Sequence, residues 1–268
     1  MGLSISGATR LFPIYGDPIA QVKSPAGLSA ILAARGIDAL VVPIHVTAAD
    51  LPAFVDGARR ARNIDGMVVT VPHKPASLAL CDRVTERARY AGSVNIMRRQ
   101  PDGSWAGDNT DGHGYLDGIA AEGFVPEGRR VLLVGAGGAG SAIAFEVLAR
   151  GAAMLAIHDI DEARRDGLVA RLSGRFPGRV GIGSADPRGF DLVANATPLG
   201  MREGDPYPVD VDRLVATQFV ADAVTKPEIP PLIAAARARG CATMPGSGMF
   251  NAQAELLVDL LTGVRAIA

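Results

Sequence analysis

Val131-Leu-Leu-Val134 runs straight into Gly135-Ala-Gly-Gly-Ala-Gly140. Ser141-Ala-Ile-Ala-Phe-Glu-Val-Leu-Ala149 follows, and after Leu155-Ala-Ile157 comes Asp159. An apolar run, a glycine cluster, a helix-forming stretch and an acid about twenty residues on are the parts of a βαβ dinucleotide site. Gly135, Gly137 and Gly140 have the GxGxxG spacing. One allows the tight turn, one lets the backbone approach a pyrophosphate, and one lets helix and strand pack closely. With Gly138 and Ala139 between them they form the expected cofactor loop. The helix start behind it offers unpaired N–H groups and the positive end of its dipole to the phosphates. Asp159 predicts NAD: a carboxylate at the end of the second strand accepts from both ribose hydroxyls and repels a 2′-phosphate. Arg164 and Arg165 are the cations that could hold that phosphate, but they lie several residues into the next helix, so NADP is the less favoured cofactor.

The chain has 268 residues, 48% of them hydrophobic, and a formal charge of −1. That length allows one large or two medium domains, and the near-neutral balance gives no reason to expect nucleic acid or an anionic membrane as a partner. Cys81 and Cys241 form no CxxC or Cys/His spacing, so both read as buried reduced thiols. His45, His73, His113 and His158 are too scattered for a metal, and none is expected. No leader-like or membrane-spanning apolar segment is present in the sequence. The expectation is a soluble, cytoplasmic protein.

The first hundred residues alternate between strand-like and helix-like stretches. Leu11 to Tyr15 reads as a strand, Ala26 to Arg35 as a helix, Leu40 to Ile44 as a strand and Leu51 to Arg62 as an amphipathic helix. Gly66 to Val71 is a buried-type strand ending at Pro72, which puts residues 72 to 74 at its carboxyl end, where open α/β sheets bind ligands. A second α/β series starts near Val131 and continues through Asp191 to Asn195 and Phe219 to Asp222. The last helix, Met249 to Leu261, has a glycine-rich entry, Pro245-Gly-Ser-Gly248, which would let it swing back across the chain.

Several residues could carry chemistry. Lys74 at a strand end is either an ordinary solvated lysine or a partly desolvated one able to exchange protons near neutral pH. Asp111 in Gly107-Asp-Asn-Thr-Asp111-Gly-His-Gly114 is either the cap of a helix from Tyr115 to Ala121 or the partner of a lysine. Asn95 offers an amide at a strand end. Asn195-Ala-Thr-Pro-Leu-Gly-Met201 reads as an ordinary strand exit unless a cofactor lies beside it.

Taken in order, these segments resemble the shikimate dehydrogenase family along essentially the whole chain. The resemblance rests on Ser24-Pro25, Thr70-Val-Pro-His-Lys74, Ala91-Gly-Ser-Val-Asn95, Gly107-Asp-Asn-Thr-Asp-Gly112, Gly135-Ala-Gly-Gly-Ala139, Asn195-Ala-Thr197 with Gly200-Met201, and Gly246-Ser-Gly-Met249 with Gln253. It implies a two-domain α/β fold: a substrate domain of residues 1–107 and 246–268 and a Rossmann domain of residues 108–245. It also implies an oxidoreductase passing hydride between NAD(P) and a secondary alcohol of a cyclic polyhydroxy acid, of shikimate or quinate type, as a monomer or homodimer. Lys74 and Asp111 would be the catalytic pair, and Ser24, Thr70, Asn95 and Gln253 would bind substrate. Asn195, Thr197, Gly246 and Met249 would lie near the nicotinamide.

Three positions depart from the family pattern. Val22 stands where a second hydroxyl residue usually helps Ser24 bind the substrate carboxylate, Val68 where asparagine is common, and Thr225 where tyrosine is usual. One lost charge-assisted hydrogen bond is worth roughly 1.5–3 kcal/mol. Intact proton-transfer residues beside altered specificity residues are the pattern of a changed substrate. The alternatives are thus the same chemistry on another hydroxy acid, or a ligand-binding module without turnover.

Overall fold

The computed structural model describes residues 5–267. The chain divides into two compact units, one made of the residues up to Thr110 together with those from Ala254 on, the other of Asp111–Gln253. The borders expected at 107/108 and 245/246 therefore fall at 110/111 and 253/254. Asn109 and Thr110 are tied to the first unit by bonds to Ser93 and Asn95, and the helix beginning at Gly246 continues unbroken to Thr262.

The first unit contains β1 (Arg10–Gly16), α1 (Ser24–Ala34), β2 (Ala39–His45), α2 (Leu51–Arg60), β3 (Gly66–Val69), α3 (Lys74–Leu78), β4 (Arg83–Val84), α4 (Glu86–Ala91), β5 (Ile96–Arg99) and β6 (Trp105–Asp108). Its sheet runs β2-β1-β3-β5-β6-β4. β2, β1 and β3 are parallel, whereas β5 is antiparallel to both β3 and β6. Side chains alternate between the two faces, as the pleat requires. Phe12, Ile14, Val68 and Ile96 face Leu28, Leu32, Leu257 and Leu261. Tyr15, Met67, Val69, Met97 and Trp105 face Leu51 and Val55. Arg99 stacks over Trp105 at 4.9 Å and donates to the carbonyls of Ala58, Arg59 and Ala61, closing the end of α2.

The second unit comprises α5 (Asp111–Ala121), β7 (Arg130–Val134), α6 (Gly138–Ala149), β8 (Met154–His158), α7 (Glu162–Ser173), β9 (Val180–Ile182), β10 (Leu192–Asn195), β11 (Phe219–Asp222), α8 (Pro231–Ala238) and β12 (Ala242–Met244), and it includes the start of α9 (Gly246–Thr262). Its six strands are all parallel, in the order β12-β11-β10-β7-β8-β9. Counted from β7 in chain order this is the 3-2-1-4-5-6 arrangement of a doubly wound Rossmann sheet, whose winding reverses between β7 and β10. Leu132, Leu133, Val193 and Val220 have no exposed surface, as expected of strands covered on both faces.

Candidate active site

In the first unit, four segments meet at one end of the sheet. β1 and β3 end there, and β5, running the other way, begins there. Asp17 N–H donates to the Val71 carbonyl, Thr70 N–H to Tyr15, Val69 N–H to Asn95 and Val94 N–H to Lys74. Gly16 has no room for a side chain: a Cβ there would lie 2.5 Å from Thr70 Cγ2 and 2.7 Å from the Val71 carbonyl oxygen. Thr70, Lys74 and Asn95 are thus gathered at one edge. Lys74 is half-buried and opens α3 rather than ending a strand, because β3 stops at Val69 and His73 makes the turn between them. His73 is itself buried, its Nε2 lying 2.7 Å from the Val46 carbonyl. The Asn95 amide is oriented by Thr110, donating to its Oγ1 at 3.0 Å and accepting from its N–H at 3.0 Å. Ser24 is the half-buried first residue of α1.

Of the three departures, Val22 packs with Ile19 against the apolar cluster of Ile14, Leu28 and Ile96, and Val68 is buried inside that cluster. Thr225 is exposed.

The polar cluster before α5 is consumed by internal bonds that sequence reading did not identify. Asp108 has no exposed surface. It accepts from Thr85 Oγ1 at 2.6 Å, Arg87 Nε at 2.7 Å and the Asn109 N–H at 2.8 Å.

Within the second unit, Asp111 opens α5 at 3% exposure and accepts from Gln253 Nε2 at 3.2 Å. These two predicted site residues are brought together although 142 positions separate them. Close packing around α5 permits the pairing: a Cβ on Gly114 would fall 2.7 Å from Gln253 Cβ and 3.0 Å from the Met249 carbonyl oxygen. His113 Nδ1 lies 2.8 Å from Glu146 Oε2 on α6. Burial alone would raise the Glu146 carboxyl, but His113 and Arg150 outweigh it and hold it below the ordinary range.

The glycine loop fits a dinucleotide. Gly135 has φ +103°, and a Cβ there would come within 2.9 Å of Ala196 and of Thr197 Cγ2. A Cβ on Gly140 would fall 1.9 Å from the Gly135 carbonyl oxygen, whereas one on Gly137 would meet nothing within 4 Å. Two glycines are thus required by packing, and the third leaves open space before the first turn of α6, where a phosphate can reach the backbone. Gly137, Gly138 and Ala139 are half-buried around that opening.

Asp159 is buried at the end of β8, accepting from Ala136 N–H at 2.7 Å and Asp161 N–H at 2.9 Å. Its carboxylate pins the glycine loop. Arg164 folds back to 3.8 Å from Asp159 and 3.2 Å from Asp161, while Arg165 pairs with Glu162 and Asp166. One of the two arginines read as too remote therefore stands beside the acid, because α7 starts immediately after β8. Asn195 accepts from the N–H and hydroxyl of Thr197 at 3.0 and 2.7 Å. Gly246, like Gly248, lies inside the first turn of α9, and a Cβ on it would be 2.4 Å from the Val224 carbonyl oxygen. These glycines serve close packing rather than a swinging entry. Met249 is half-buried on the next part of that turn.

Among the described residues no three His, Cys, Asp or Glu side chains gather to hold a metal, and no helix is long and apolar enough to cross a membrane. Burial pushes the Cys81 thiol up to about 12 and raises that of Cys241, so neither is a nucleophile at neutral pH.

A model of the shikimate dehydrogenase substrate binding domain matches residues 14–97. A shikimate dehydrogenase (NADP(+)) from Rubrobacter xylanophilus is 40% identical over 266 residues, 97% of this chain and 93% of that protein. Quinate dehydrogenase from Corynebacterium glutamicum in complex with NAD superposes with a TM-score of 0.86 at 31% identity, covering 95% of this chain and 94% of the other. The ligand-free 5-ketofructose reductase of a Gluconobacter species superposes with a TM-score of 0.87 at 30% identity, covering 97% and 95%. With a relative this similar along nearly all of both sequences, the chain belongs to the shikimate dehydrogenase family.

Proposed function

We propose that this chain passes hydride between NAD, in preference to NADP, and a ring secondary alcohol of a cyclic polyhydroxy acid, shikimate first and quinate second. It is an NAD(P)-dependent oxidoreductase acting on CH–OH. The observation that carries the substrate assignment is the gathering of Thr70, Lys74 and Asn95 at one edge of the first unit's sheet.

In this reading the bound nicotinamide accepts or returns the hydride. Lys74 and Asp111 exchange the alcohol proton, a role worth about 10²–10⁴-fold in rate. Gln253 holds the Asp111 carboxylate in one orientation and, with Thr70 and Asn95, bonds the ring hydroxyls. Ser24 takes the carboxylate. The loop 135–140 carries the pyrophosphate, and Asn195, Thr197, Gly246 and Met249 border the nicotinamide. The preference for NAD is supported by the buried Asp159 carboxylate and by the NAD complex of the Corynebacterium relative. The NADP(+) designation of the Rubrobacter relative and the position of Arg164 weigh the other way.

A second reading, the same hydride transfer on another hydroxy compound, is favoured by the absorption of Val22 and Val68 into an apolar cluster. The Gluconobacter relative is named for a keto sugar, which has no carboxylate. Initial rates of nicotinamide reduction with shikimate and with quinate, each with NAD and with NADP, test both readings, with Lys74→Ala as the blank. Turnover dependent on Lys74 with either acid is the expected result. Dinucleotide binding without turnover on either acid would transfer the assignment to the second reading, or to a binding module without catalysis.

A further inference from the structure

Asp222, the last residue of β11, has no exposed surface and lies on the strand adjacent to the one carrying Asn195. Its Oδ1 accepts from Asn195 Nδ2 at 2.9 Å and from the Val224 N–H at 2.9 Å, while its Oδ2 has no partner. Two chains of contact leave this one oxygen. Through Asn195, whose Oδ1 accepts from Thr197, and through Thr197 Oγ1, which accepts from the Leu199 N–H at 3.2 Å, it fixes the exit loop of β10. Gly135 closes directly onto that loop at Ala196 and Thr197. Through Val224 it fixes the backbone against which Gly246 packs at the start of α9. Gly135, Asn195, Thr197 and Gly246, assigned above to the cofactor, are thus all within one to three contacts of Asp222.

We propose, resting on the dinucleotide-binding reading above, that Asp222 is a positioning residue which holds the Asn195 amide in one orientation and so sets the nicotinamide side of the cofactor site. An amide has two nearly symmetric orientations, and the Thr197 N–H, which only donates, together with an acceptor at Nδ2 selects the one with Oδ1 toward Thr197. The Leu199 carbonyl lies 3.5 Å from Nδ2; the nearer acceptor, at 2.9 Å, is the Asp222 carboxylate. Burial raises its pKa to about 6 against the two hydrogen bonds that favour the charged form. The titratable group facing it from another element is Tyr115 of α5, whose buried hydroxyl is raised by burial and by the Asp222 charge against a lowering contact with the Asn195 backbone. β10 presents the neutral Asn195, β12 pairs Met244 with Ala221, and α8 packs Leu232 and Ala236 beside Val220.

Fluorescence titration of the full chain with NADH and NADPH tests the proposal. Asp222→Ala and Asn195→Ala should each raise the dinucleotide Kd about tenfold, and the double variant should be no weaker than the worse single one, because both remove the same link. Asp222→Asn, which keeps an acceptor oxygen at Oδ1, should stay within about threefold of wild type. The wild-type Kd should show an inflection near pH 6 between about pH 5 and 8, and Asp222→Asn should lose it. Multiplying effects in the double variant, an unchanged Kd for Asp222→Ala, or the same inflection in Asp222→Asn would overturn the proposal. If Asp222→Ala does not fold, the pH profile of Asp222→Asn decides alone. A wild-type chain that binds neither dinucleotide overturns the parent reading and this one with it, whereas normal wild-type binding with an unaltered Asp222→Ala overturns this one only.

Discussion

Gly112→Ala and Gly167→Ala make the same chemical change in two helices of the same unit and should have opposite effects. Gly112 sits in the first turn of α5 where it meets α6, and an added Cβ would lie 2.3 Å from the Ala142 carbonyl oxygen and 2.8 Å from Glu146 Cβ. Carbon and carbonyl oxygen need about 3.3 Å, so the helices must separate by about 1 Å. The obstacle is backbone, which has no rotamer to escape into. Overpacking of this kind costs about 1–3 kcal/mol, against a gain of at most about 1 kcal/mol from replacing glycine by alanine in a helix. The loss wins by about 1–2 kcal/mol, which is about 2–8 °C in Tm for a unit of this size. Gly167 lies in α7 with nothing within 4 Å of its Cβ position. There only the helix gain operates, and Tm should rise by about 1–4 °C. Thermal melts of the two variants beside wild type, with turnover measured on each, separate the cases. Gly112→Ala should also lower turnover, since it displaces the helix that starts at Asp111, while Gly167→Ala should not. Shifts in the same direction, or a Gly112→Ala protein as stable as wild type, would refute the packing argument.

Arg87→Ala strips the fully buried Asp108 of its cation and should cost about 3 kcal/mol in urea denaturation, the lower end of the range for breaking a buried pair because the Arg87 side chain is 22% exposed. A loss below about 1 kcal/mol would show that Thr85 and the Asn109 N–H satisfy the carboxylate without it. The depressed Glu146 carboxyl contributes stability that is present above its unfolded pKa of 4.5 and is lost as pH falls through its lower folded value. Wild type should therefore lose more stability than Glu146→Gln between about pH 5 and pH 3 in parallel melts, and equal losses would remove His113 and Arg150 from the account. Asp159→Ala should lower the ratio of initial rates with NAD to those with NADP, and Arg164→Ala should raise it. An unchanged ratio in both would dispose of the argument from charge.

The Rossmann unit was legible because its signals are local. An apolar strand, three glycines at fixed spacing and an acid after the next strand all lie between Val131 and Asp159, and parallel strands covered on both faces read as uninterrupted apolar runs. The β5-β6-β4 half of the first unit's sheet was not. β4, β5 and β6 are only two to four residues long, too short for alternation to register. What fixes them is the pairing of β5 with β3 and the anchoring of Asp108 by Thr85 and Arg87, neither of which has a pattern along the chain. The sequence predicts α9 from Met249, three residues after its start at Gly246, because Gly246 and Gly248 look like breakers. Their small size answers Val224 and Met244, residues that only the fold brings opposite them.

The same distinction governs the site. Lys74, Asp111, Asn95, Gln253 and Asn195 are proposed through a resemblance that spans the chain, and the residues bonded to them carry no such signal. Thr110 aligns the Asn95 amide, and Asp222 aligns that of Asn195; each is a common residue at a strand end, with no spacing signal of its own. The departures at Val22 and Val68 acquire their meaning only in the fold. Neither is a bare deletion of a polar contact, since both join the cluster of Ile14, Leu28 and Ile96. Restoring an asparagine at 68 alone would put an amide into that cluster, at about 1–3 kcal/mol without a partner. An asparagine at 68 therefore has to come with a change in the packing around it that gives the amide a partner.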